Sequence, residues 1–155
     1  MEPSCIFCRI IAGDGIQSWK VWEDELHVAF LTPSPNTPGF TVLATRRHLD
    51  SNILRLPDDE YQQLMRAGQT VALVLERAFT TNRIALVAEG MGVNHAHIKL
   101  IPLHGIDSGD WKPVTNDSLF FSEQYAGYIT SQEGPRMEDA LLDRYANDIR
   151  TANHR

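Results

Sequence analysis

Cysteine is scarce in this 155-residue chain: there are two, and they sit together in Cys5-Ile6-Phe7-Cys8. A single pair cannot build a disulfide framework, so the fold must rest on an apolar core. Long apolar runs are also missing. Stretches such as Val71-Ala72-Leu73-Val74-Leu75 fall far short of the roughly 20 residues that a membrane helix needs. Positive charge is in deficit, with 14 Lys and Arg against 20 Asp and Glu and a formal net charge of −6. That balance argues against binding to duplex nucleic acid, yet one local cluster can still oppose the net field around a small phosphorylated ligand. The first residues, Met-Glu-Pro-Ser-Cys, carry an acid where a secretory signal needs basic residues, so a cytoplasmic protein is expected. No repeat, low-complexity tract or linker divides the chain, which points to one domain over residues 1–155.

What is present suits a globular fold: 43% hydrophobic and 22% charged residues. Arg9 to Gly13 reads as a short helical turn ended by glycine. Lys20–Glu23 and Leu26–Leu31 read as strands joined in a hairpin across Asp24-Glu25. The proline-rich segment from Thr32 to Gly39 is a rigid loop, and Phe40–Thr45 is a further strand. Pro57-Asp58-Asp59-Glu60 marks a helix start, since proline and acids suit the first turn. From there Tyr61, Leu64, Met65, Gly68, Val71, Ala72, Leu75, Ala78 and Phe79 recur at helical spacing, with Asn82 as the stop. Arg83–Glu89 and His95–Ile101 read as strands around a Gly90-Met91-Gly92 turn. Residues 104–135 read as loop, and Met137–Arg150 as a C-terminal helix on Ala140, Leu141, Tyr145 and Ile149. The class is α+β: an antiparallel sheet of about five strands with a long helix and a C-terminal helix on one side.

Two patterns carry chemistry. In a reducing compartment C-x-x-C is half a zinc site, a redox pair, or two thiols packed as small apolar groups. Only four residues precede Cys5, so no strand feeds the motif as redox pairs usually require, and metal is favoured. The second pattern is His95-Ala96-His97-Ile98-Lys99. Alternation in a strand puts His95, His97 and Lys99 on one face, here an open one, and Ala96, Ile98 and Leu100 towards the core. Two imidazoles and an ammonium side by side call for an anion or a metal; the plainer alternative is a solvated strand face.

Taken in order, these segments resemble the histidine-triad (HIT) family of nucleotide hydrolases and transferases over roughly residues 4–103, with 104–155 as a C-terminal loop and helix. The resemblance runs through the Cys5–Gly13 segment, Trp22-Glu23-Asp24 with Val28-Ala29-Phe30-Leu31, Pro38–Leu43 with Arg46-Arg47-His48, and His95–Pro102. It implies a HIT-like fold and cleavage at the α-phosphate of a nucleoside phosphoramidate, acyl-adenylate or dinucleoside polyphosphate. His97 is then the nucleophile that forms a nucleotidyl-histidine intermediate, and Lys99 offsets phosphate charge. Backbone N–H groups around Gly90 and Gly92 add donors, and Ile6, Phe7, Ile10, Phe30 and Thr32 receive the nucleoside. The resemblance also implies a structural Zn²⁺ on Cys5, Cys8, His48 and His95, a closed tetrahedral set. It implies a homodimer, with Trp111 in the segment that closes over the site or meets the second subunit. His27, His104 and His154 read as surface or structural. Three positions depart from the family pattern: Lys99 replaces the third histidine, Thr32 an acid, and Phe40 a histidine. An alternative is therefore a nucleotide-binding or interaction protein of the same family with little or no catalysis.

Overall fold

Alternating side chains along the strands, and an apolar stripe along each long helix, dictate most of the architecture. The computed structural model describes residues 2–105 and 135–153, so Trp111 and His154 lie outside the described residues. The elements run α1 (Ile6–Ala12), β1 (Trp19–Glu23), β2 (His27–Leu31), β3 (Thr41–Thr45), α2 (Asp58–Phe79), β4 (Ile84–Val87), β5 (His97–Pro102) and α3 (Asp139–Asn153), with a single 3-10 turn at Ile53–Arg55. The strands form one antiparallel sheet in the order β1-β2-β3-β5-β4. This is the α+β class expected, with five strands, the long helix and the C-terminal helix. Among the described residues no helix is long and apolar enough to cross a membrane.

The β1–β2 hairpin turns on Asp24. Its Oδ1 accepts from the N–H of Leu26 at 2.8 Å and of His27 at 2.6 Å, and faces His27 Nδ1 at 3.1 Å. Burial alone would raise the Asp24 pKa, but the Leu26 amide, the His27 ring and the His27 amide together hold it below the ordinary value. A carboxylate whose folded pKa is depressed stabilises above its unfolded pKa, and that contribution fades as pH falls through the folded one. Asp24 is 40% exposed and solvent screens its charge, so Asp24→Asn is expected to cost no more than about 1 kcal/mol at pH 7. The gap between variant and parent should narrow as pH falls through and below the ordinary carboxylate range, as read from thermal melts across pH. A gap that stays constant from pH 7 to pH 3 would contradict this role.

The inner face of the sheet meets α2 and α3. Leu43, Ile98 and Leu100 pack there with Leu64, Ala67, Val71, Val74 and Leu75 of α2. Helix α2 ends at Phe79, with Thr80 in the left-handed conformation, two residues before the predicted stop. Helix α3 buries Leu142, Ala146, Ile149 and Ala152, leaving Ala140 and Leu141 exposed. The expected stripe through Ala140 and Leu141 is thus rotated by one residue. Bonds from Trp19 Nε1 to Asp143 (2.9 Å) and from Gln17 Nε2 to Asp139 (3.2 Å) set that rotation.

The opposite face is not open. Helix α1 lies over it, and Phe7, Cys8 and Ile10 pack with Val28, Phe30, Val42 and Ala44. Gly13 closes α1 at φ 74°, with its N–H bonded back into the last turn. Helices therefore cover both faces, where one side was expected, because α1 carries a second apolar surface of its own. Strand β5 also begins at His97, two residues later than predicted. His95 and Ala96 leave the strand as the Ala96 N–H turns to the Leu49 carbonyl at 2.9 Å.

Candidate functional site

Register builds the site's floor. Ala44 pairs with His97, and Val42 pairs with Lys99, while Phe30 pairs with Val42 one strand further out. His97 and Lys99 thus project from the centre of the sheet beside two apolar side chains and beneath α1. The Phe7 ring stands edge-on to both His97, with centroids 5.2 Å apart, and Phe30, at 5.3 Å. His97 is 2% exposed.

The two histidines are held in opposite tautomers. His97 Nδ1 donates to the His95 carbonyl at 2.7 Å, which leaves the Nε2 lone pair available on the cleft side. His95 Nε2 instead donates to the Thr45 carbonyl at 2.6 Å, which leaves Nδ1 as the acceptor. Burial lowers both pKa values first, so both rings are neutral near pH 7; the bond to the His95 carbonyl and the Glu89 charge pull His97 the other way, while Lys99 adds to the lowering.

His95 Nδ1 faces sulfur. Cys5 Sγ lies 3.4 Å and Cys8 Sγ 3.6 Å from it, and His48 Nδ1 is 3.4 Å from Cys8 Sγ. All four potential ligand atoms of Cys5, Cys8, His48 and His95 fall within 4.8 Å of one another. A tetrahedral zinc with sulfur at about 2.3 Å and nitrogen at about 2.0 Å spaces S and N about 3.5 Å apart. The observed separations match that edge, and the Thr45 carbonyl supplies the orienting bond that a ligating histidine ordinarily has. The donor set fits such a metal. Burial pushes the Cys8 thiol above its ordinary range, and a bound cation is what would hold it as thiolate.

A cleft of about 520 Å³ opens beside this cluster. Ile6, Phe7, Ile10, Phe30, Thr32, Gly92, His97 and Lys99 all line it. Gly90 does not: it turns at φ 67° against Ser51, where an added Cβ would sit 2.6 Å from the backbone oxygen. The sequence reading missed Gln17, Ser18 and Trp19, which also line the cleft; Met91 and Val93, from the turn expected to supply backbone donors, line it too. They sit at element ends and in turns, where no periodicity marks them. It also missed Glu89, whose Oε1 is 2.6 Å from Lys99 Nζ. A signal existed, since β4 and β5 are neighbours in sequence and an acid just after β4 falls near a lysine on β5. Of the remaining histidines, His27 is buried against Asp24, and His104 bonds the Pro38 carbonyl and stacks edge-on to Phe79.

Comparison with known proteins agrees with this arrangement. The HIT domain family model matches residues 14–106. The protein hit of Bacillus subtilis is 36% identical over 123 residues, covering 74% of this chain and 83% of its own. Among solved structures, a zinc-bound histidine triad family protein from Mycobacterium smegmatis superimposes with a TM-score of 0.70 at 20% identity, covering 97% of this chain and 94% of that one. A HIT family hydrolase from Clostridium thermocellum does so with a TM-score of 0.58 at 23% identity, covering 72% and 98%. At these identities the structural likeness speaks for the fold.

Proposed function

The chain belongs to the HIT family, and from that premise we propose that it is a nucleotide hydrolase or transferase that cleaves at the α-phosphate through His97. The observation that carries the proposal is the His97 tautomer: Nδ1 is committed to the His95 carbonyl, so a neutral Nε2 lone pair faces the cleft. Nε2 attacks the α-phosphorus as the bond to the leaving group breaks, and an amine leaving group departs with a proton from solvent. Water then hydrolyses the N–P bond, releasing the nucleoside monophosphate and restoring neutral His97.

The walls suit a nucleoside. Ile6, Phe7, Ile10 and Phe30 offer an apolar slot for the base, and Thr32 a hydroxyl for the ribose. Lys99 and the backbone around Gly92 receive the phosphate oxygens. Candidate substrates are nucleoside phosphoramidates, acyl-adenylates and dinucleoside polyphosphates. Zinc on Cys5, Cys8, His48 and His95, a ligand set like that of a closed structural centre, would tie α1 to the strand that carries His97. The M. smegmatis relative is zinc-bound, which supports this reading. A homodimer is part of the proposal. Among the described residues β4 is an edge strand with apolar side chains, beside a groove on α2 lined by Met65, Ala72, Ile84 and Leu86.

Intact-protein mass spectrometry tests the chemistry. The chain mixed with adenosine 5′-phosphoramidate and quenched in base is expected to carry one adenylyl group, mapped by fragmentation to His97. An adduct elsewhere, or none while AMP accumulates, would refute the covalent route.

A further inference from the structure

Charge among the described residues of the cleft centres on one pair. Among the described residues lining it, Lys99 is the single charged side chain, and the walls around it are otherwise mainly apolar. Its ammonium is 2.6 Å from Glu89 Oε1, and the two side chains are only 14% and 20% exposed. At that separation the contact is a charge-assisted hydrogen bond, and the pair's net charge is zero. Its field is that of a dipole, which falls off faster with distance than that of a lone cation.

Glu89 is held there by construction. It follows β4, whose Val87 pairs with Lys99 across the sheet. It precedes Gly90, whose backbone is pressed against Ser51 too closely to admit a side chain. The carboxylate therefore meets the ammonium through register and turn geometry together. Beyond the cleft, the whole chain carries a formal charge of −6, which works against any approaching polyanion.

We propose that Glu89 is a specificity-determining residue: by neutralising Lys99 it restricts the cleft to nucleotides bearing one phosphate group next to the nucleoside and discriminates against polyphosphate chains. This rests on the nucleotide-cleaving reading of the site and narrows it to phosphoramidate- and acyl-adenylate-type substrates. One charged phosphate at the floor can take a hydrogen bond from Lys99 directly. A second or third phosphate extends into a region where no uncompensated positive charge among the described residues of the cleft repays its desolvation.

The test is calorimetric titration of the full chain with adenosine, AMP, ADP and ATP at low salt without added magnesium, for the parent, Glu89→Gln and Glu89→Gln/Lys99→Met. Gln keeps the shape and one acceptor but removes the charge. The parent is expected to bind AMP at least as tightly as ATP. In Glu89→Gln the gain should grow with ligand charge, from none for adenosine to on the order of tenfold for ATP, and should shrink with added salt. The double variant should lose that charge-dependent gain. A parent whose affinity climbs steeply from AMP to ATP overturns the proposal. So does a Glu89→Gln variant whose affinities shift equally across the four ligands. An adenylyl adduct on His97 together with a flat Glu89→Gln series would retain the catalytic reading and reject this one alone. A parent that binds none of the four rejects both.

Discussion

His97→Ala is expected to lower turnover of adenosine 5′-phosphoramidate by at least about a thousandfold while AMP affinity changes by less than about tenfold. The asymmetry follows from the geometry. Among the described residues lining the cleft, His97 is the single imidazole. The hydroxyls nearby, Ser18 and Thr32, would need a base to become comparable nucleophiles. In the proposed reading nucleoside binding would rest instead on Phe7, Phe30 and the isoleucines of α1, which line the cleft and which the substitution leaves in place. The loss should therefore fall on kcat with KM little moved. His97→Asn is the sharper companion variant, because its amide can still donate to the His95 carbonyl yet cannot form a nucleotidyl adduct. If either variant kept a rate within tenfold of the parent, His97 would not be the nucleophile. If parent and variant turned the substrate over equally poorly while still binding AMP, a family member that binds nucleotides with little or no catalysis would be favoured.

Cys8→Ala is expected to abolish a zinc content that should be about one ion per chain in the parent, and to lower the melting temperature by more than about 10 °C. Removing one thiol would break the four-ligand set proposed to hold zinc, whose binding energy would also be folding energy. At the roughly 2–4 °C per kcal/mol typical of a chain this size, a loss of 3–5 kcal/mol gives a shift of that order. The cluster joins pieces far apart in sequence: α1 through Cys8, Cys5 just before it, the post-β3 segment through His48, and the approach to β5 through His95. Without it, α1 loses its tether over the sheet face and the cleft loses the wall formed by Phe7 and Ile10. A chelator should reproduce the shift in the parent and leave Cys8→Ala unmoved. A metal-free parent with an unchanged melting temperature would refute the site.

Much of this was legible in local pattern. Period-two alternation in His97-Ile98-Lys99-Leu100 assigns faces correctly wherever the segment is extended. The Pro57-Asp58-Asp59-Glu60 start and the apolar spacing after it mark α2 to within a few residues. The ligand set of the Cys5–Cys8 pair came from resemblance; spacing alone left zinc, redox and simple packing open. Less legible were the rotation of α3, which bonds from Gln17 and Trp19 to Asp139 and Asp143 set across more than 100 residues, and the cover that α1 places over the histidine face.

By itself, then, the scarcity of cysteine and of positive charge determined that this chain folds on an apolar core and meets phosphate, if at all, through a local site. Backbone periodicity determined which side chains share a face, because that depends only on neighbours along the chain. What the tertiary structure alone decided is how those faces are completed. The tautomers of His95 and His97 depend on carbonyls that packing brings into reach. The ion pair at Lys99 depends on Glu89 arriving from the segment that follows β4. Hydrogen bonds and Coulomb interactions act through space over a few ångströms, and sequence order does not record that distance.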